Sequence, residues 1–158
     1  MIISRTPYRI SFFGGGTDYP EWYFKNGGEV ISTTINKYLY LSCRPLPPFY
    51  KYKYRIIWKK IELANNKNEI EHRVVKKMIN YLKIKEGLDI LYAGDLPAQS
   101  GMGSSSSFVV GLMNALFALK NKSLSKNSLA KQSIYFEQKL LKETVGSQDQ
   151  IATSFGGF

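Results

Sequence analysis

Residues Leu96–Lys120 read LPAQSGMGSSSSFVVGLMNALFALK, with two glycines and five serines ahead of a long apolar run. Glycines let a backbone turn its N–H groups inward and approach a ligand, and the first turn of a following helix offers unpaired donors at the positive end of its dipole. Together these features describe an anion site. Gly103 is followed by Ser104 and not by lysine, so the stretch is not a Walker-type loop. Phosphate charge would have to be met by amides, helix dipole and a metal ion. The hydroxyls of Ser104, Ser105, Ser106 and Ser107 could donate to phosphate oxygens or ligate Mg²⁺, which favours hard oxygen donors. A glycine turn with a serine cap on a core helix would use the same residues.

Four further residues could do chemistry. Arg9 stands among Tyr8, Ile10, Phe12 and Phe13, where a purely structural strand rarely places a guanidinium. Asp18 follows Gly14, Gly15, Gly16 and Thr17, and a carboxylate on such a loop can bind sugar hydroxyls; a turn aspartate is the plainer alternative. Asp149 lies between two glutamines in VGSQDQ and could take or orient a hydroxyl proton, particularly beside a cation such as Arg9. Glu137, between Phe136 and the Leu140–Leu141 pair, either turns inward toward a metal or is solvated.

The elements that must position these residues follow from periodicity. IISRTPYRISFF is rich in β-branched and aromatic residues and runs into GGGTDYPEW, where glycines and a proline force a turn. Val30–Cys43 and FYKYKYRIIWKKIEL read as sheet, the latter as a half-exposed strand alternating basic and aromatic residues. Ile70, Val74, Met78 and Leu82, beside Val75 and Ile79, form one apolar stripe of a helix over Glu69–Leu82. LDILYAG predicts a short strand. Phe108–Leu119 is apolar on nearly every side and predicts a central buried helix, and a last helix is predicted from about Ser128 to Leu141. His72 is read as a helix-surface residue, with contact to a substrate as the alternative.

Length and composition bound the answer further. The chain has 158 residues, 44% of them hydrophobic, which suits one ordinary core. No apolar run is long enough to span a bilayer and MIISRTPYRI lacks a secretory layout, so a cytoplasmic protein without a membrane partner is expected. With Cys43 and His72 as the single cysteine and histidine, an internal disulfide and a Cys- or His-clustered zinc site are excluded. The net charge of +10 attracts anions without choosing among nucleic acid, anionic lipid and phosphorylated small molecules.

Taken in order, the three glycine-bearing stretches resemble the GHMP kinase superfamily, whose phosphate loop usually reads P-x-x-x-G-L-G-S-S-A-A. Pro97, Gly101, Met102, Gly103 and Ser104–Ser107 occupy that pattern, and Tyr8–Tyr19 is similar to the first sugar-kinase motif with Gly15 and Gly16 in place of a glutamate and a histidine typical of galactokinases. The similarity is strongest to bacterial heptose kinases. It implies an α+β domain, a ribosomal-protein-like mixed sheet with helices packed on one face, spanning residues 1–158 as the amino-terminal domain, with a carboxy-terminal kinase domain lying outside this chain.

The resemblance also implies ATP and Mg²⁺ as cofactors and a sugar phosphate as substrate, phosphorylated at the anomeric hydroxyl of a heptose 7-phosphate. Another sugar, such as fucose, is the alternative. By position, Pro97 and Ser100–Ser107 would bind ATP, Ser105 and Glu137 the metal, and Arg9, Gly15, Gly16, Thr17, Asp18 and Asp149 the sugar, with Asp149 and its cationic partner Arg9 at the reaction. A basic RNA-binding module built on FYKYKYRIIWKK is the reading from another class. Charge runs are common and ordered glycine motifs are not, so nucleic acid is not the expected partner.

Overall fold

The computed structural model describes residues 1–98 and 100–157. Gln99, inside the glycine-serine stretch, and Phe158 lie outside them. Five strands, β1 (Ile2–Phe13), β2 (Ile31–Pro45), β3 (Tyr54–Ile57), β4 (Ile61–Ala64) and β5 (Leu88–Gly94), form one mixed sheet in the order β1-β2-β5-β3-β4. All neighbours are antiparallel except β3 and β5, which run parallel. Period-two alternation turns Ser4, Thr6 and Tyr8 of β1, Leu39, Leu41 and Cys43 of β2, and Leu88 and Ile90 of β5 toward the helices, where all are buried.

The helices are α1 (Pro20–Asn26), α2 (Arg73–Tyr81), α3 (Ser104–Leu119), α4 (Lys126–Tyr135) and α5 (Gln148–Phe155). α3 is the central one, as its unbroken apolar sequence predicts: Val109, Leu112, Met113 and Leu116 are buried against the sheet on one side and the other helices on the rest. Its approach to β1 requires Gly111, where a Cβ would stand 2.6 Å from the Thr6 hydroxyl. The stripe of α2 is buried at Val75, Met78 and Ile79, while Ile70, also buried, precedes the helix, which starts at Arg73.

Three readings of the sequence need revision. The basic-aromatic segment is not one strand: Trp58–Lys60 turns the chain between β3 and β4, and Phe49–Lys53 lies outside the sheet. The helix predicted to reach Leu141 changes hand-over at Phe136–Leu140 into one π-helical turn, closed by the Leu141 amide donating to the Phe136 carbonyl at 2.8 Å. Finally, α1 and α5 are helices that no apolar stripe announced, since α1 has no buried residue and α5 has two, both polar, Gln150 and Thr153.

Candidate active site

β1, the glycine loop, α5 and the π-turn after α4 bring four of the predicted residues to the mouth of α3. Arg9 is the joint. Its backbone amide donates to the Met102 carbonyl at 3.2 Å and its Nη1 to the Gly101 carbonyl at 2.9 Å, so β1 fixes the loop. Its Nε donates to Asp149 Oδ1 at 2.6 Å, with the side chains only 12% and 22% exposed. Charge-assisted pairs of this length are strong and directional. Asp149 sits in the first turn of α5, and its other oxygen faces Gly103: a Cβ there would lie 3.2 Å from Oδ2 and 3.3 Å from the Arg9 Cγ. Gly103 also has φ 71°, in the left-handed region. Conformation and crowding both call for glycine at this position.

The four serines that follow do different things. Ser104 and Ser105 line a cavity, Ser105 with its side chain exposed. Ser106 is buried and donates to both oxygens of Glu137, at 3.2 and 3.0 Å. Ser107 is spent on the fold, its hydroxyl donating to the Pro7 carbonyl at 3.0 Å and its amide to the Gly103 carbonyl at 2.9 Å. The hydroxyl that meets Glu137 is therefore one residue beyond Ser105, the serine that the family motif aligns with that acid. Ser100 Oγ is buried without a hydrogen-bond partner among the described residues.

Glu137 faces inward from the π-turn and is fully buried. It also accepts from Gln150 Nε2. No cationic side chain pairs with it among the described residues, and burial pushes its carboxyl up to about 7, against the lowering effect of the Gln150 and Ser106 bonds. A carboxylate held this way gains from a bound cation. Among the described residues no cluster of three or more His, Cys, Asp or Glu side chains could hold a metal, so any ion beside Glu137 would draw its other ligands from hydroxyls, phosphate or water. That is the coordination habit of Mg²⁺, and the donor set fits it.

Asp18 and its loop meet the same N-terminal end of α5 that carries Asp149. Asp18 Oδ1 accepts from the Gly16 amide at 3.0 Å and Oδ2 from the Gln148 amide at 3.0 Å, which ties the glycine loop to the start of α5. Thr17 is likewise engaged, donating to the Gly14 carbonyl at 2.7 Å and accepting from the Glu29 amide. Thr17 and Asp18 still border a cavity of about 460 Å³, with Tyr23, Gly28, Ser147 and Gln148. Gln148 Oε1 is buried there without a partner, and its Nε2 would be 3.5 Å from a Cβ on Gly15.

A second cavity, about 430 Å³, opens beside Ser104 and Ser105. Its walls are aromatic: His72 stacks on Phe108 with centroids 5.0 Å apart, Trp58 meets His72 edge-on at 4.7 Å, and Tyr92 lies 6.1 Å from Phe108. His72 is thus a cavity wall and not a surface residue. Its Nδ1 accepts from the Val75 amide at 3.4 Å, capping α2, and burial lowers its pKa. Trp58 and Tyr92 escaped sequence reasoning because nothing local marks them; only the sheet brings them to Phe108.

Residues 58–157 match the model of the GHMP kinases N-terminal domain. The chain belongs to the GHMP kinases. It is 29% identical over 174 residues to D-glycero-alpha-D-manno-heptose 7-phosphate kinase of Campylobacter jejuni, covering 99% of this chain and 49% of that protein. It is 28% identical to a galactokinase of Ligilactobacillus salivarius, with 96% and 41% covered. The structure superposes on a D-glycero-D-manno-heptose 1-phosphate kinase from Bacteroides thetaiotaomicron with a TM-score of 0.87 at 25% identity, over all of this chain and 55% of that one. This GHMP kinase domain therefore spans about half the length of the relatives it matches. Among the described residues no helix is long and apolar enough to cross a membrane.

Proposed function

We propose that this domain is the catalytic-loop half of an ATP-dependent sugar kinase that phosphorylates the anomeric hydroxyl of a heptose 7-phosphate. The observation that carries the reading is the joint at Arg9, which ties the glycine loop and the Asp149 carboxylate into one rigid cradle at the mouth of α3. Phosphoryl transfer asks a protein mainly for position and for preorganised donors around the moving charge. The free amides of the first α3 turn and the loop glycines supply those donors. Ser104 hands the phosphates on from the aromatic cavity, whose flat walls suit a nucleotide base. The cavity beside Asp18 and Gln148 offers acceptors for sugar hydroxyls.

Arg9 holds Asp149 so that one oxygen stays turned to the loop. That oxygen takes or orients the proton of the attacking hydroxyl as the γ-phosphoryl group passes to the sugar oxygen and ADP leaves. Glu137 and the hydroxyl of Ser105 or Ser106 would hold Mg²⁺, which when bound neutralises charge on the phosphates. A second, carboxy-terminal GHMP half would complete the cleft.

The test joins residues 1–157 to the carboxy-terminal half of the Campylobacter heptose kinase and assays transfer from ATP to a panel of sugars and sugar phosphates. The expected result is a heptose 1,7-bisphosphate, with turnover lost by a factor of about 10² to 10⁴ in Asp149→Ala. Preference for an unphosphorylated sugar overturns the substrate; unchanged turnover in Asp149→Ala removes Asp149 from the mechanism.

A further inference from the structure

Among the described residues no helix packs on the sheet face turned away from α3 and α5, and the strand register dictates what that face shows. Ile3, Ser42, Leu91, Ile57 and Ile61 stand in one row across all five strands. Ile3, Leu91 and Ile61 are 61%, 42% and 66% exposed, an apolar line open to solvent. Arg5 and Tyr40 form the next row on one side; Arg44, Asp89 and Arg55 form the next on the other. The chain has five arginines against seventeen lysines, yet three of the five stand on this face. Arginine is the cation suited to bidentate and stacked contacts.

Aromatic rings accompany these arginines. The Arg5 guanidinium lies 4.5 Å from the centre of the Tyr38 ring, itself 6.2 Å from Tyr40. At the other end the Phe49, Tyr50 and Tyr52 rings follow one another at 4.6 and 5.4 Å, with Arg55 5.7 Å from Tyr50 and the exposed Lys51 and Lys53 between them. Asp89 is the one carboxylate that the described strands point to this side. It is consumed by Arg44 at 2.9 Å and Arg55 at 2.6 Å. A second copy docked face to face about a two-fold axis would therefore set arginine rows against each other with no free acid between them. A polyanion carrying flat apolar rings has the complementary chemistry.

We propose that this face binds single-stranded nucleic acid, with phosphates on Arg5, Arg44, Lys51 and Lys53 and bases stacked on Tyr50 and Tyr52. The site is separate from the nucleotide cradle, which opens on the helix side of the sheet, and it does not depend on the kinase reading. As a linear run the basic-aromatic segment could not be told from solvated surface; the register adds Arg5 and Arg44 from strands distant in sequence.

The test is fluorescence anisotropy of a labelled short oligouridylate titrated with the whole chain. Binding should weaken about 50-fold between about 50 and about 200 mM salt, the slope of about four phosphate contacts. Tyr50→Ala with Tyr52→Ala, and separately Lys51→Glu with Lys53→Glu, should each weaken it at least about tenfold. Both pairs lie outside the sheet, and circular dichroism checks the fold. The control pair Lys122→Glu with Lys139→Glu carries the same charge change on exposed sites elsewhere and should cost less than about threefold. An equal loss in the control pair, unchanged binding in the tyrosine pair, or displacement of the oligonucleotide by stoichiometric Mg²⁺-ATP each overturns the proposal.

Discussion

Glu137 and Asp89 are buried acids on opposite sides of the sheet, and their surroundings are opposite. Asp89, 7% exposed on the open sheet face, is held by two arginines, and the Arg55 bonds, followed by those of Arg44, set its carboxyl below its usual value. Glu137, fully buried at the mouth of α3, has only a serine hydroxyl and a glutamine amide, and its carboxyl rises to about 7. Burying a charge without a counter-charge is costly. The open face has met that cost internally. The cradle has not, and under the proposed function a cation would meet it.

The contrast fixes two limbs of a pH profile. Asp89 has a depressed folded pKa, so its contribution is present above the unfolded value of 3.8 and is lost as pH falls through the folded one. Glu137 has a raised folded pKa, so its protonated form favours folding below 4.5, and stability is lost as pH climbs from 4.5 to about 7. Without bound cation the combined contribution of these two acids should peak near pH 4 to 5.

Removing the satisfied acid should have the largest effect. Asp89→Ala leaves Arg44 and Arg55 facing each other, and urea unfolding at pH 7 should show a loss of about 2–3 kcal/mol, below the range for breaking a fully buried pair because both arginines are partly exposed. Replacing the unsatisfied acid should do the reverse. Glu137→Gln should raise stability at pH 8 by about 2 kcal/mol and flatten the decline between pH 5 and pH 8; a thermal-melt series over that range reads both. Least affected should be Ser106→Ala, which removes one hydroxyl from Glu137 at a cost of about 1 kcal/mol near neutral pH. Its melt series should show the Glu137 titration displaced upward, because a bond to the charged form is gone. Equal losses in Asp89→Ala and Glu137→Gln would erase the comparison.

Much of the cradle was legible because its signals are local. Glycines at positions 101 and 103, a serine run and an apolar helix mark a loop running into a buried helix start, the type of place where backbone amides can meet an anion. Arg9 stood out against its aromatic neighbours. Which serine meets Glu137 was not legible: successive helix residues are rotated by about 100°, so the choice between Ser105 and Ser106 depends on how α3 is turned against α4. The π-turn that aims Glu137 is equally hidden, being an insertion in the hydrogen-bond ladder and not a residue type. Helix α5 escaped notice because its buried residues, Gln150 and Thr153, are polar and serve the site. The Arg44–Asp89–Arg55 cluster joins three strands, and only sheet register reveals it.

The central claim is that Glu137 is buried without a counter-charge so that a cation carrying nucleotide can supply it. Its most direct test is the thermal shift that Mg²⁺-ATP produces on the 158-residue chain at pH 8, beside the same measurement on Glu137→Gln. Tm should rise for the native chain only when Mg²⁺ is present, and the rise should be at least halved in Glu137→Gln. An identical, Mg²⁺-independent shift in both proteins, or no shift in either, would contradict it.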